Sequence, residues 1–227
     1  MTAKEKERLE IVKEVCNLQG CTLQEIYNFI KTGKTDTAVA LDLTPADGVY
    51  IVTKDGRADK FTGTNLIFDC DNPVIGIGVK QGNRAVVVAL TDAADDKDIT
   101  LTAIEDTTDY DGYISEYTDA VADWNGKANT DHLREIGLNP AINLKDGEYI
   151  PSVGEMYLIY THRKEINAAL RHVGGKEIHD KWYWTSTENS AAYAWGLYLC
   201  DGMLGGWYPM SYGKLRVRPV SAFNINR

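Results

Sequence analysis

Cysteine is scarce in this chain. Cys16, Cys21, Cys70 and Cys200 are the only four in 227 residues, and none forms a C-x-x-C pair. A disulfide scaffold is therefore not indicated, and free thiols in partly buried positions are the expectation. Long apolar runs are missing too. The longest strictly apolar stretch, Ala85 to Leu90, is far too short to span a bilayer, so no membrane insertion is expected. The first eight residues, Met1 to Arg8, hold no apolar core, so no secretory leader is expected. Positive charge is in deficit, with 24 Lys and Arg against 33 Asp and Glu, a net charge of −9. An acidic chain without a basic stripe is a poor partner for nucleic acid or an anionic membrane. The four histidines, His132, His162, His172 and His179, lack metal-ligand spacing, and no serine sits in a G-x-S-x-G turn. No metal, cofactor or catalytic residue is assigned.

What is present is an ordinary globular composition, 44% hydrophobic and 25% charged, in a chain long enough to bury a sizeable core. Residues 1–35 read as two amphipathic helices, the second opened by the capping box Thr22-x-x-Glu25 and carrying Leu23, Ile26, Tyr27 and Ile30. They are expected to bury that stripe on the chain's own β-domain or on a second copy, as an attachment or oligomerisation element. Residues 36–106 read as a small β-rich domain, with the period changing to two from Pro45 to about Ile104. Val49 to Thr53 is a strand, and Val74 to Val79 with Ala85 to Leu90 is a hairpin around Gln81-Gly82-Asn83. Thr100 to Ile104 is a further strand candidate. In residues 107–227, the stretch up to Asp123 reads as an acidic loop and Asn129 to Ile136 as a short helix. Ser152 to His172 reads as one long helix or two abutting ones, ended at Gly174-Gly175, and β-like sequence follows from Lys181.

Two near-motifs fail on inspection. Gly76-x-Gly78-x-x-x-Gly82 is one residue too long for a dinucleotide fingerprint, and a strand rather than a helix follows it. Asp109-x-Asp111-Gly112 resembles the middle of an EF-hand loop, but Thr107 and Thr118 stand where its anchoring carboxylates belong.

The informative segment is Trp182 to Phe223. The last 47 residues hold 10 of the 22 aromatics and four of the five tryptophans. Such clustering serves either a core of large rings or a recognition surface. Strand parity puts Trp195, Leu197 and Leu199 on one side as core, and Gly196, Tyr198 and Cys200 on the other. Leu215 and Val217 alternate with Arg216 and Arg218. Gly202 to Gly213 shows neither helical nor strand period and reads as a loop rich in apolar groups.

Tyr183-Trp-Thr-Ser-Thr-Glu188, Ala194-Trp195, Asp201-Gly202 and Arg216-Val-Arg-Pro-Val220 together resemble a C-type-lectin-like domain. The subgroup is that of Legionella collagen-like C-terminal domains and of variable proteins of diversity-generating retroelements, common in gut Bacteroides and their phages. Ile150-Pro-Ser-Val-Gly-Glu155, Ile166 to Leu170 and Gly174-Gly175 match its helical half. The resemblance is specific over residues 124–223, weaker over 45–123, and absent from the N-terminal helices. It implies an α+β fold in which these motifs are scaffold and the segment between them carries the ligand face. By position, that face is Asn189, Tyr193, Gly196, Tyr198, Met203, Gly205, Gly206, Trp207, Tyr208, Met210 and Tyr212. Met203, Trp207 and Met210 have codons without a pyrimidine third base, a departure from the mutagenised codons of diversified positions. Calcium-lectin signatures are absent; Trp124-Asn125-Gly126 lacks the acid of the nearest one.

The resulting expectation is a non-enzymatic recognition protein that binds a surface protein or glycan. It would be a phage or prophage tail component or a retroelement variable protein, with a lean towards a homotrimer. It would sit in the virion, or in the cytoplasm before release. The rivals are a structural virion or assembly protein and a formylglycine-generating-type oxidase. The oxidase needs a copper-binding cysteine pair, whereas Cys200 stands alone in the lectin-like part. Trp184 and Trp195 should be buried, and Arg216 or Arg218 should pair with a carboxylate such as Glu155 or Glu188. Tyr198, Trp207, Tyr208, Met210 and Tyr212 should share one partly exposed face.

Overall fold

The alternation that begins after Pro45 builds the first sheet of the computed structural model, which describes residues 46–65, 71–104 and 110–223. Strands β1 (Gly48–Thr53), β2 (Ala58–Lys60), β3 (Val74–Gln81) and β4 (Arg84–Ala89) pair antiparallel, and β8 (Val220–Ala222) completes the order β2-β1-β3-β4-β8. The expected hairpin is β3–β4, turned at Gly82, whose φ of +59° suits glycine. Val49, Ile51, Ile77, Val79, Val86 and Val88 join the main core. Tyr50, Val52 and Val87 alternate with them and are buried in a separate cluster. Both faces of these strands are occupied, which suits their near-continuous Val and Ile runs.

Four helices follow among the described residues: α1 (Tyr117–Ala122), α2 (Gly126–Ile136), α3 (Val153–Thr161) and α4 (Arg163–His172). The long helical segment is therefore two abutting helices, broken at His162. Glu155 Oε2 accepts the Ser152 N–H at 2.8 Å and fixes the start of α3. Met156 and Ile159 of α3 and Ile166 and Leu170 of α4 enter the main core, each contributing about 1.5–3 kcal/mol by burial. No described helix is long and apolar enough to cross a membrane.

The second sheet comprises β5 (Trp182–Ser190), β6 (Tyr193–Tyr198) and β7 (Met203–Pro209), in the order β5-β6-β7 and antiparallel throughout. The architecture is thus α+β, mixed helix with two antiparallel sheets.

Several expectations are corrected. The described residues all fall within one compact unit, Pro45–Arg227. A division at 106/107 does not separate two bodies, because β8 hydrogen-bonds to β4 and Tyr183 and Leu197 share a core with Ile77 and Val79. Thr100 to Ile104 forms no strand; Thr102 makes only a bridge to Leu138. The acidic stretch before Asp123 contains α1, and Gly202 to Gly213 contains β7. Cys200 is exposed rather than partly buried. The helices expected in residues 1–35, and Cys16, Cys21 and Cys70, lie outside the described residues.

Candidate functional site

The two sides of the second sheet differ because strand parity sorts small and large residues. Trp195, Leu197 and Leu199 are all buried, as parity requires. On the opposite side the register aligns Trp182, Tyr198 and Met203, and next to them Trp184, Gly196 and Gly205. Here the rings pack into a ladder. Trp182 stacks on Tyr198 with centroids 5.3 Å apart, meets Tyr208 at 4.9 Å, and Tyr208 meets Trp184 edge-on at 6.2 Å.

Two glycines make room for this ladder. A Cβ at Gly205 would lie 2.9 Å from Tyr208 Cε2, and one at Gly196 would lie 3.2 Å from Tyr208 Cδ2 and 2.7 Å from Leu215 Cδ1. Gly205 and Gly196 are therefore the floor beneath the Tyr208 ring. Gly206 serves the other side, where a Cβ would lie 2.9 Å from both Asn189 Nδ2 and Trp195 Cζ3. All three glycines are buried and Asn189 is half-buried.

The β6–β7 register shifts between Ala194 and Gly196. Ala194 pairs with Tyr208 and Gly196 with Gly205, so Gly206 and Trp207 together stand opposite Trp195. This is a bulge, and it gives Trp207 a position outside the strict alternation. Trp207 is 83% exposed, Tyr212 66%, Met203 54% and Tyr193 38%. Tyr198 and Tyr208 are half-buried within the ladder.

Met210 corrects the expected shared face, being fully buried. Its carbonyl accepts the Leu101 and Thr102 N–H groups, its N–H donates to Ala192, and its side chain enters the cluster of Leu133, Trp184 and Leu215. Tyr198 and Tyr208 do lie on one side, but the bulge sets Trp207 apart from them. Trp182, outside the expected set, is the hub of the ladder; its shared parity with Trp184 is the signal that could have found it.

The scaffold tryptophans are buried, Trp184 donating its Nε1–H to Ile99 at 2.7 Å and Trp195 donating to Ile114 at 2.7 Å. The arginines do pair with carboxylates, but these are Asp92 for both, with Asp96 and Asp98 also on Arg216, rather than Glu155 or Glu188. Arg218 Nε lies 2.6 Å and Arg216 Nη1 3.2 Å from the Asp92 carboxylate, with both Arg218 and Asp92 buried. Glu155 is engaged elsewhere: it accepts the Tyr149 hydroxyl at 3.0 Å, and burial pushes its carboxyl above the usual range. Asp123 is likewise enclosed, accepting Thr187 Oγ1 and Asn129 Nδ2 at 2.7 Å each. These groups hold the scaffold and leave the exposed part of the second sheet to rings, a thioether and backbone.

No group of three or more His, Cys, Asp or Glu among the described residues is arranged to hold a metal ion. Comparison with protein-family models, with curated proteins and with solved structures gave no match.

Proposed function

We propose that the chain is a non-enzymatic recognition protein of C-type-lectin-like architecture, which binds a surface protein or glycan through the second sheet and the turn that follows it. One observation carries this reading. Four of the seven exposed large hydrophobic residues among those described, Tyr193, Met203, Trp207 and Tyr212, fall within one short stretch of chain. A loose apolar group on a surface needs no explanation, but rings and a thioether gathered on one hairpin and its following turn are what an interface uses as anchors. A virion tail or a retroelement variable protein is the setting proposed for it.

The test is adhesion of the labelled full-length protein to a panel of gut Bacteroides cells, with Trp207→Ala and Tyr212→Ala as variants. The reading expects adhesion by the parent protein and its loss in the variants, with melting temperature unchanged. Adhesion that is the same in parent and variants would contradict it.

A further inference from the structure

The second sheet is closed on one side and open on the other. On the β5 side, the Trp184 N–H donates to Arg216 and the Arg216 N–H donates to Trp182, at 2.8 and 3.0 Å. On the other side β7 ends the strand order, with no partner strand among the described residues. The same bonds fix which backbone groups point outward. Trp182 and Trp184 turn theirs away from β6, so Tyr183 bonds to Leu197, and Gly196 and Tyr198 turn theirs towards Gly205 and Met203. Between those two, Leu204 directs its N–H and C=O out of the sheet.

Natural edges are blunted by charge, by proline or by a cover. Met203 to Tyr208 carry no charge, and Pro209 comes only at the end of the strand. The chain segments around it are acidic, although Arg163, paired with Asp180, also reaches the turn before β7 and donates to the Leu199 carbonyl. From Trp182 to Gly213, and again from Asp98 to Gly126, the sequence contains no lysine or arginine. The second stretch is brought to β7 by Trp195. Its indole donates to Ile114, meets the Tyr117 ring edge-on at 6.4 Å, and underlies Gly206. The Tyr117 hydroxyl bonds to that of Tyr157, which donates to the Gly202 carbonyl in the turn before β7. Glu116, Asp119 and Asp201 are exposed on these elements, beside the exposed Tyr117.

We propose that the β7 edge takes an extended, lysine- or arginine-bearing peptide segment as an added strand. The peptide backbone pairs with Leu204. Its cationic side chains meet Glu116, Asp119 and Asp201 and the faces of Tyr117 and Trp207. This rests on the recognition reading above and names its ligand class. A second copy of the chain is the poorer occupant, since pairing two edges brings the same acidic surroundings together.

The test is fluorescence anisotropy of the full chain with a labelled, alternating Lys-Thr peptide of about a dozen residues, long enough to pass the whole strand. Its Glu-Thr counterpart and a Lys-Thr copy methylated at alternate backbone nitrogens are the controls. Saturable binding is expected for the Lys-Thr peptide, weakened about tenfold or more by methylation, by Trp207→Ala and by Glu116→Gln with Asp119→Asn, and absent for Glu-Thr. No saturable binding, equal binding of the methylated peptide, or indifference to these substitutions would overturn it. So would light scattering that shows a dimer abolished by Leu204→Pro. Adhesion lost in Trp207→Ala without peptide binding would leave the recognition reading standing and remove the peptide; peptide binding without any cell adhesion would do the reverse.

Discussion

Two hairpins among the described residues, β3–β4 and β6–β7, share their topology and differ in their surroundings. In β3–β4 six residue pairs run from Gly76↔Ala89 to Gln81↔Arg84 without a shift, and Ile77, Val79, Val86 and Val88 are all in the main core. In β6–β7 the register slips at Trp195, and the outer strand carries Met203 and Trp207 into solvent. The reason lies in their places in the sheets. β3 and β4 are interior strands, flanked by β1 and β8, whereas β7 is terminal. An interior hairpin commits both faces and both edges to the fold. A terminal one keeps an edge and, at a bulge, a side chain that the fold does not use. Under the proposed function, stability and recognition are separable along the chain, and substitutions can test that separation.

The largest effect should come from the latch that holds the C-terminal segment on the first sheet. Asp92→Ala leaves Arg218 buried without its carboxylate and should cost about 3–5 kcal/mol, measured by denaturant unfolding. A cost below about 1 kcal/mol would mean that the latch is not needed there. Next, Gly76→Ala places a Cβ 2.5 Å from the Val88 carbonyl oxygen, inside the interior hairpin, and should cost about 1–3 kcal/mol. If it is tolerated while Gly196→Ala is not, the contrast between interior and terminal hairpins is reversed.

A smaller effect is expected from Glu155. Burial raises its carboxyl above the ordinary 4.5, so the folded state holds a proton that the unfolded chain releases. Stability should fall as pH rises from 4.5 through the folded-state value, and Glu155→Gln should remove that slope. Thermal melts of the parent and the variant over a pH series that starts below the ordinary carboxylate value check it. An unchanged slope in the variant would assign the pH dependence to another group. The smallest effect on stability should be that of Trp207→Ala, within about 0.5 kcal/mol, because the ring is exposed.

The same contrast explains what can be read from the sequence. The β3–β4 hairpin is legible because Val and Ile runs flank a glycine turn, and the α3–α4 segment because its apolar stripes recur at helical spacing. The burial of Trp195 and Leu197 follows from parity. β7 is not legible, since Gly205 and Gly206 show no alternation and the bulge adds a residue to the period. The burial of Met210 is hidden because it depends on bonds from Leu101 and Thr102, far away in the chain. The arginine partner is hidden for the same reason: Asp92 sits in an Asp-rich loop with no local sign of which carboxylate turns inward. Glu155, the expected partner, is already engaged at the start of α3. α1 is only six residues long and lies in a stretch without a clear apolar stripe.

The central claim is that the exposed part of the second sheet serves binding and not folding. Its most direct test measures melting temperature and cell adhesion on the same preparation of Trp207→Ala. The account predicts a melting temperature within about 2 °C of the parent, with adhesion lost. A large fall in melting temperature with adhesion retained by the folded fraction would contradict it.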